Sequence, residues 1–256
     1  MTILCYHSVQ PGWNSPLAVS PQSFARHVAW LARARLTVDL DAAVARMAPS
    51  GRLPRRTVAL TFDDGFSGIF DHALPLLTSH RIPATVFVVA ETLTSEGRLV
   101  DWVDDPPASP LAAVSRDQVL EMQEAGVQFG SHSYAHHDLT SLSEEQCEHD
   151  LRRSREVLED LLGASVTYLA YPRGLHSEPV RRAAARAGFT HGFALPESRQ
   201  PVGPYSVPRV GIYPTDGVLA LRVKTSEWYV PLRRSRAFPV LRRLAGRGPA
   251  RVRPAG

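Results

Sequence analysis

The sequence predicts an α/β fold, a distorted (β/α) barrel of about seven strands. Segments with strand character alternate with segments of helical periodicity, which is typical of a parallel sheet with crossover helices. The length of 256 residues suits a single barrel domain. Hydrophobic residues make up 44% of the chain and charged residues 21%, as in soluble proteins with a sizeable core. An open doubly wound sheet is the alternative, because strand count alone does not exclude it.

The predicted elements are bounded by clear start and stop signals. Ser20 and Pro21 mark the beginning of the first helix, and Ser143 with Gln146 forms a capping box for a long helix. A polar stretch over residues 91–110 is predicted to be an irregular loop over one face of the barrel. The predicted strands cover residues 3–6, 57–62, 84–89, 127–130, 167–171, 190–194 and 207–210, and the later helices cover 40–47, 67–79, 115–126, 144–162 and 178–187.

Charge is distributed unevenly along the chain. Ten basic residues and one acid lie from Arg222 to the C terminus, so this segment carries +9 while the whole chain carries +4. The first 221 residues therefore carry −5, which is not the basic surface of a nucleic-acid-binding domain. We predict a barrel domain over residues 1–221, a basic C-terminal tail over residues 222–256, and no nucleic-acid partner.

The tail alternates apolar and basic residues, a pattern that predicts peripheral contact with an anionic membrane. A disordered basic tail is the alternative. The apolar groups are residues 230–232 and 238–241, and the basic residues between and after them are Arg233, Arg234, Arg236, Arg242 and Arg243.

The compartment is predicted from the N terminus and the cysteines. The residues after Met1 do not show the pattern of a signal peptide, which is a basic segment and then a long apolar run. If Met1 is the true start, we expect a cytoplasmic protein that can lie at the inner membrane face. Cys5 and Cys147 do not suggest a disulfide framework, although one bridge between them is open at this point.

Polar residues of catalytic type follow four of the predicted strands. His7 follows the first strand, Asp63 and Asp64 follow the second, and His132 and residues 172–174 follow two later ones. Because the carboxyl ends of parallel strands converge on one face of a barrel, we expect these groups to lie together.

Asp63 and Asp64 are adjacent carboxylates at a strand end. Two such groups cannot both stay ionised at close range without a cation or strong hydrogen-bond donors. A metal ion on one of them resolves the conflict and leaves the other as a base. The alternative is a turn in which one aspartate caps the next helix and Gly65 relieves the backbone.

His132 and His136 are spaced as if one helical turn apart, able to bind one ion from the same side. A pair of surface histidines is the alternative. Two histidines and one carboxylate form a three-ligand site with an open position for water, which is the arrangement expected of catalytic zinc.

Three motifs together resemble the polysaccharide deacetylase family, also called the NodB-type domain or carbohydrate esterase family 4. They are Thr-Phe-Asp-Asp-Gly at 61–65, Gly-Ser-His-Ser at 130–133 continuing to His136, and Tyr-Pro-Arg-Gly at 171–174. The resemblance covers about residues 2–215. It implies a distorted (β/α) barrel, one divalent ion that we expect to be zinc, and removal of N-acetyl groups from an amino-sugar glycan or its precursor.

The resemblance also implies roles for individual residues. Asp63 resembles the catalytic base, and the third motif, Tyr171, Pro172 and Arg173, resembles the oxyanion and substrate site, with the backbone N–H of Arg173 as the donor. The residues that resemble the metal ligands are Asp64, His132 and His136.

Two departures from the family pattern change the expected site. The arginine that many members carry two residues before the proline of the third motif is Ala170 here, and Arg209 could steady the base instead. No histidine follows His191, but the first strand ends in His7. First and last strands are neighbours in a closed barrel, so His7 can be the general acid. This permuted order resembles that of poly-N-acetylglucosamine deacetylases; a structural histidine is the alternative.

Aromatic residues near the motif loops are candidates for stacking on sugar faces, with core packing as the alternative. They are Trp13, Trp102 and Tyr134. Two other functions stay open. One is a hydrolase of the same fold acting on a small N-acyl or ureide metabolite, and the other is a catalytically silent glycan-binding module. The complete set of base and ligands argues against the second.

Overall fold

The computed structural model describes residues 1–47, 56–107, 110–196, 201–236 and 238. Within these residues seven parallel strands close into a barrel, which confirms the predicted fold and rules out the open sheet. In their order around the barrel they are β1 (Thr2–Tyr6), β4 (Val58–Phe62), β5 (Ala84–Val88), β6 (Gln128–Ser131), β7 (Tyr168–Ala170), β8 (His191–Ala194) and β9 (Val207–Gly211). The short strands β2 (Ser8–Val9) and β3 (Ala18–Val19) pair separately.

The N-terminal strand closes the barrel. β1 pairs with β4 on one side, and on the other Ile3, Leu4 and Cys5 align with Arg209, Val210 and Gly211 of β9. The predicted proximity of the first and last strands is therefore confirmed. It places the loop after β1 beside both the end of β4 and the end of β9.

The helices surround the barrel and begin at the predicted caps. Ser20 accepts a hydrogen bond from the backbone N–H of Ser23, and capping boxes start the helices after Ser115 and Ser143. The helices that cover the barrel are α1 (Pro21–Ala34), α2 (Leu40–Ala45), α3 (Leu74–His80), α4 (Arg116–Glu124), α5 (Glu144–Leu162) and α6 (Glu178–Arg186). Phe24, Val28 and Leu31 of α1 are fully buried, as their spacing predicts, and each such burial is worth about 1.5–3 kcal/mol.

The helix predicted over residues 67–79 is split. A π-helical turn over Ile69–Ala73 precedes α3, and the backbone N–H of Leu74 bonds to the carbonyl of Ile69. Pro75 has no N–H to offer the preceding turn, and a wider turn accommodates the missing bond.

The helical shell continues past residue 221, where the sequence predicts the domain boundary. Helix α7 (Val218–Lys224) spans that position, with Leu221 fully buried, and α8 (Tyr229–Arg234) follows. Helical structure within the described residues therefore continues beyond the predicted boundary. Residues 239–256 lie outside the described residues and include the predicted tail residues Val240, Leu241, Arg242 and Arg243.

Two further features concern the described residues as a whole. Both cysteines, Cys5 and Cys147, are buried and free, so the disulfide left open by the sequence is absent. None of the described helices is both long enough and apolar enough to cross a membrane.

Candidate active site

Side chains from four barrel strands meet at the carboxyl end of the barrel. Asp64, His132 and His136 have ligand atoms that all lie within 4.8 Å of one another. A second group with the same mutual spacing is formed by His7, Asp63 and Cys5. The parallel arrangement thus brings together the candidate base, the candidate acid and the three candidate ligands.

The first group fits a divalent ion. Nε2 of His136 lies 3.2 Å and Nε2 of His132 3.7 Å from Oδ1 of Asp64. The other ring nitrogen of His132, Nδ1, is 2.8 Å from the carbonyl oxygen of Ala170. A carbonyl only accepts, so Nδ1 carries the proton and Nε2 keeps its lone pair for a metal. Buried nitrogen and oxygen donors of this kind are suited to zinc.

Burial and neighbouring charges set the protonation of these residues. Burial lowers the pKa of His132 to about 4, against the opposing effect of the Asp63 carboxylate, so the imidazole is neutral at neutral pH. Burial acts to raise the pKa of Asp64, but the hydrogen bond and charge of His136 outweigh it and hold that pKa at about 2. Neutral imidazole and ionised carboxylate are the forms that bind metal.

The segment that carries the two histidines is a loop. The prediction that one helical turn separates them is wrong, because Ser133 and His136 have φ angles of 65° and 55°. Their rings are nevertheless 5.0 Å apart, since Ser133 Oγ accepts the backbone N–H of His136 and closes the turn. A spacing of four residues in the sequence does not by itself distinguish a helical turn from such a loop.

Backbone strain is concentrated in the motifs. Asp64 has φ 69° and Arg173 has φ 58°, and with Ser133 and His136 they make four of the seven non-glycine residues with positive φ in the described chain. Such conformations are costly and persist where the surrounding structure imposes them. Gly65 follows at φ 68°, and a Cβ there would lie 2.8 Å from Val88 Cγ1. The tight turn after β4 therefore requires this glycine.

Asp63 is held by Arg209. The guanidinium donates to both carboxylate oxygens, at 2.6 and 2.7 Å, and to Thr61 Oγ1 at 3.2 Å. Burial acts to raise the pKa of Asp63, but the charges of Arg209 and His132 outweigh it and keep that pKa well below its usual range. Arg209 thus occupies the position relative to the base that the sequence suggests for it. Ala170 contributes its backbone carbonyl, which accepts a hydrogen bond from His132, and has no charged side chain to offer Asp63.

Cys5 is a site residue that the sequence reasoning missed. Its fully buried thiol donates to Oδ2 of Asp63 at 3.3 Å. Burial raises the pKa of the thiol well above its usual value, so it is a neutral donor. Residues two apart on a strand face the same side. Because Cys5 lies two residues before His7, the sequence could have predicted that Cys5 also faces the site.

Trp13, a candidate for sugar stacking, and Tyr171, a candidate of the third motif, both pack into the core. Trp13 is buried against Phe66, with ring centroids 5.6 Å apart, and its indole N–H donates to the carbonyl of Asp105. The ring of Tyr171 is fully buried, stacks on His176 and donates its hydroxyl to the carbonyl of Tyr205. Neither ring is presented to a ligand, because each satisfies its polar atom within the fold.

Of the remaining candidates, Tyr134 and Pro172 are also buried, whereas Trp102 lies against the candidate metal ligands. Tyr134 is buried with the Arg153 guanidinium 3.9 Å above its ring. Pro172 is buried and opens a short 3₁₀ turn, in which Arg173 has left-handed backbone angles. Trp102 contacts two of the candidate metal ligands: its indole N–H donates to Asp64 and its ring stacks on His136.

A parallel barrel that places an ionised carboxylate beside a candidate three-ligand metal site is typical of metal-dependent hydrolases. The particular family follows from comparison with known proteins. The chain belongs to the polysaccharide deacetylase family, whose model matches residues 50–192. It is a hydrolase that removes N-acetyl groups from glycans, in a family whose members depend on a metal ion. The matched range includes the two aspartates and both histidines, but neither His7 nor Arg209.

Individual relatives agree with this family. The chain is 28% identical over 209 residues to the poly-beta-1,6-N-acetyl-D-glucosamine N-deacetylase of Staphylococcus epidermidis, covering 75% of this chain and 67% of that protein. IcaB from Ammonifex degensii superposes with a TM-score of 0.68 at 28% identity, covering 83% and 91% of the two chains. Streptococcus pyogenes deacetylase PplD, in complex with acetate, shares the fold with a TM-score of 0.73 at 23% identity, covering 88% and 98%.

Proposed function

We propose that the chain deacetylates a β-1,6-linked N-acetylglucosamine glycan or its precursor, with one zinc ion held by Asp64, His132 and His136. The observation that carries the proposal is the buried three-ligand set beside a carboxylate that Arg209 grips at 2.6 and 2.7 Å. The linkage rests on the similarity to the S. epidermidis deacetylase.

The residues of this chain divide the chemistry among them. Asp64, His132 and His136 would hold a divalent ion, which would supply polarisation of the acetamide carbonyl and a lower pKa of water. Asp63, kept ionised and oriented by Arg209, accepts the proton of the attacking water. His7 donates a proton to the departing nitrogen, because an amine leaves poorly as an anion. The backbone N–H of Arg173 stabilises the oxyanion. The products are acetate and a free amino sugar.

A cavity beside the histidine loop offers room for more of a glycan chain. Its volume is about 660 Å³, and its walls include Tyr134 and Ala135, which lie between the two histidine ligands. Gln146, His149 and Arg153 of α5 supply polar groups to the lining of the same cavity. Convergent polar groups in a concave site suit a ligand rich in hydroxyls.

The proposal predicts metal-dependent acetate release. The protein should release acetate from β-1,6-linked N-acetylglucosamine oligomers faster than from β-1,4-linked oligomers or small N-acyl metabolites, and a chelator should abolish this activity until zinc is restored. Acetate is measured for each substrate with and without chelator. Faster turnover of a small N-acyl or ureide compound would replace the glycan with a metabolite. A lack of turnover of any substrate would favour a silent binding module.

Measuring the zinc content of a variant that lacks one ligand tests the assignment of the three metal ligands. We expect one zinc per wild-type chain and much less in His132→Ala, which retains two protein ligands. His137→Ala is the matched control, because the neighbouring His137 is largely exposed and belongs to neither ligand group. Unchanged zinc in His132→Ala would contradict the assignment.

We also propose that the chain contacts the cytoplasmic face of an anionic membrane through its C-terminal region. Leu219 and Val223, one helical turn apart on α7, are 75% and 44% exposed, and Trp228 is 54% exposed. Arg222 lies on the same helix, and apolar side chains flanked by arginines suit a lipid interface.

Liposome binding tests this contact. Sedimentation with anionic vesicles should fall for a double variant, Leu219→Ser with Trp228→Ser, and should weaken as salt increases. Leu99→Ser is the matched control, since Leu99 is 83% exposed on the long loop before α4. A chain truncated after Lys224 keeps α7 and removes Trp228, α8 and the tail, so it separates the contribution of α7 from that of the rest of the C-terminal region. Binding equal to that of wild type in both the double variant and the truncated chain would refute the contact.

A further inference from the structure

We propose that Trp102 is a positioning residue of the metal centre, which holds two of the three ligands in place and is itself fixed by Arg98. The inference rests on the proposed function only in taking Asp64 and His136 as ligands. Trp102 lies on the long loop between β5 and α4, outside every motif that carries the family resemblance.

The two histidine ligands are supported in different ways. A ligand histidine normally donates its second ring N–H to a fixed acceptor, which sets the orientation of the ring. His132 has such an acceptor in the carbonyl of Ala170. Nδ1 of His136 is buried and has no hydrogen-bond partner among the described residues. The orientation of the His136 ring must therefore be set by another contact.

Trp102 supplies that contact. Its indole ring stacks on the imidazole of His136 with centroids 5.1 Å apart and an interplanar angle of 25°. A near-parallel ring at this distance prevents rotation of the imidazole about its bond to Cβ. The stack thus takes the place of the missing hydrogen bond.

The same side chain restrains the carboxylate ligand. The indole N–H of Trp102 donates to Oδ1 of Asp64 at 3.0 Å. Indole nitrogen can only donate, so the carboxylate oxygen is the acceptor and the bond fixes the orientation of the carboxylate. One residue therefore links a ligand after β4 to a ligand after β6.

Arg98 fixes the segment that carries Trp102. Its guanidinium donates to the carbonyl of Ala135, next to His136, at 2.6 Å and to Asp101, next to Trp102, at 2.8 Å. It also pairs with Glu91 and lies 5.7 Å from the centroid of the Trp102 ring. These bonds connect the segment that contains Asp101 and Trp102 to the loop that contains Ala135 and His136. They thereby keep the Trp102 ring in contact with the His136 ring.

Zinc affinity of the full-length protein tests the inference. In competition with a chromophoric chelator, Trp102→Ala should bind zinc about 10- to 100-fold more weakly than wild type, the usual effect of removing an outer support of a metal site. Trp102→Phe keeps an aromatic ring but loses the donor and should fall between the two. Arg98→Met should also weaken binding. Trp228→Ala, which removes an exposed indole far along the chain, should match wild type.

The outcomes separate this inference from the proposed function. Wild-type affinity in both Trp102 variants would overturn it, and so would a raised KM with unchanged zinc affinity, which is the signature of sugar stacking. A wild-type chain that binds no zinc would overturn the metal site itself. Trp102→Phe preserves most of the side-chain volume, so the test stands even where Trp102→Ala fails to fold, as judged by circular dichroism of the metal-free proteins.

Discussion

Asp63→Asn is expected to lower kcat by about 10²- to 10⁴-fold while the protein keeps its zinc, because asparagine has nearly the same shape as aspartate but cannot accept the proton of water. The measurement is acetate release under saturating substrate, with zinc content determined on the same sample. Zinc should be retained because Asp63 belongs to a different group from the three ligands.

The structure adds a complication to this variant. Arg209 is almost completely buried, and both of its terminal nitrogens donate to the carboxylate of Asp63. The substitution leaves a buried guanidinium without its counter-charge, which typically costs about 3–5 kcal/mol. A loss of activity in Asp63→Asn therefore has two sources, the missing base and a weakened fold, and must be resolved into them.

A second variant resolves the two sources. Combining Asp63→Asn with Arg209→Met removes the stranded charge and fills its place with an apolar side chain, which often restores stability at a buried ion pair. We expect thermal unfolding of the double variant to return towards that of wild type while kcat stays low. Recovery of activity together with stability would show that Asp63 is a structural partner of Arg209 and that the base lies elsewhere.

The fold was predictable because its signals are local. Strand segments, serine caps and capping boxes each follow from a few neighbouring residues, and the caps at Ser20 and Ser143 appear where the sequence places them. The π-helical turn before Pro75 was not foreseen, because it depends on which hydrogen bond the proline removes. The helix across residue 221 was missed because a change in charge does not mark the end of packing: Leu221 is buried and the side chain of Lys224 folds back to Asp216.

The site was predictable to the extent that it lies at strand ends. Parallel topology alone brings the two aspartates after β4 to the same end of the barrel as the histidines after β6, two strands further round. The contacts that orient these groups depend on register and on loops, which period and composition do not specify. The pairing of Ile3 with Arg209 decides that the arginine reaches Asp63. The path of the loop before α4 decides that the ring of Trp102 stacks on that of His136.

The same register supports the second prediction, on His7. β1 lies between β4 and β9, so the residue after its end is brought to the site, and the ligand atoms of His7 and Asp63 lie within 4.8 Å of each other. If His7 protonates the leaving nitrogen, His7→Ala should retain zinc and fold but lose about 10²- to 10⁴-fold in rate on an acetamide. Hydrolysis of an aryl acetate ester should fall far less, because a phenolate leaves without protonation.

The pair of substrates separates the roles open to His7. Selective loss on the amide identifies proton donation, since both substrates share the attack of water on a carbonyl and differ in the group that leaves. Equal losses on amide and ester would instead assign His7 to substrate positioning or to support of the strand, and near-normal amide turnover would place the acid elsewhere. His191→Ala is the matched control: His191 begins β8, at the end of the parallel barrel opposite the site, and its removal should leave both rates unchanged.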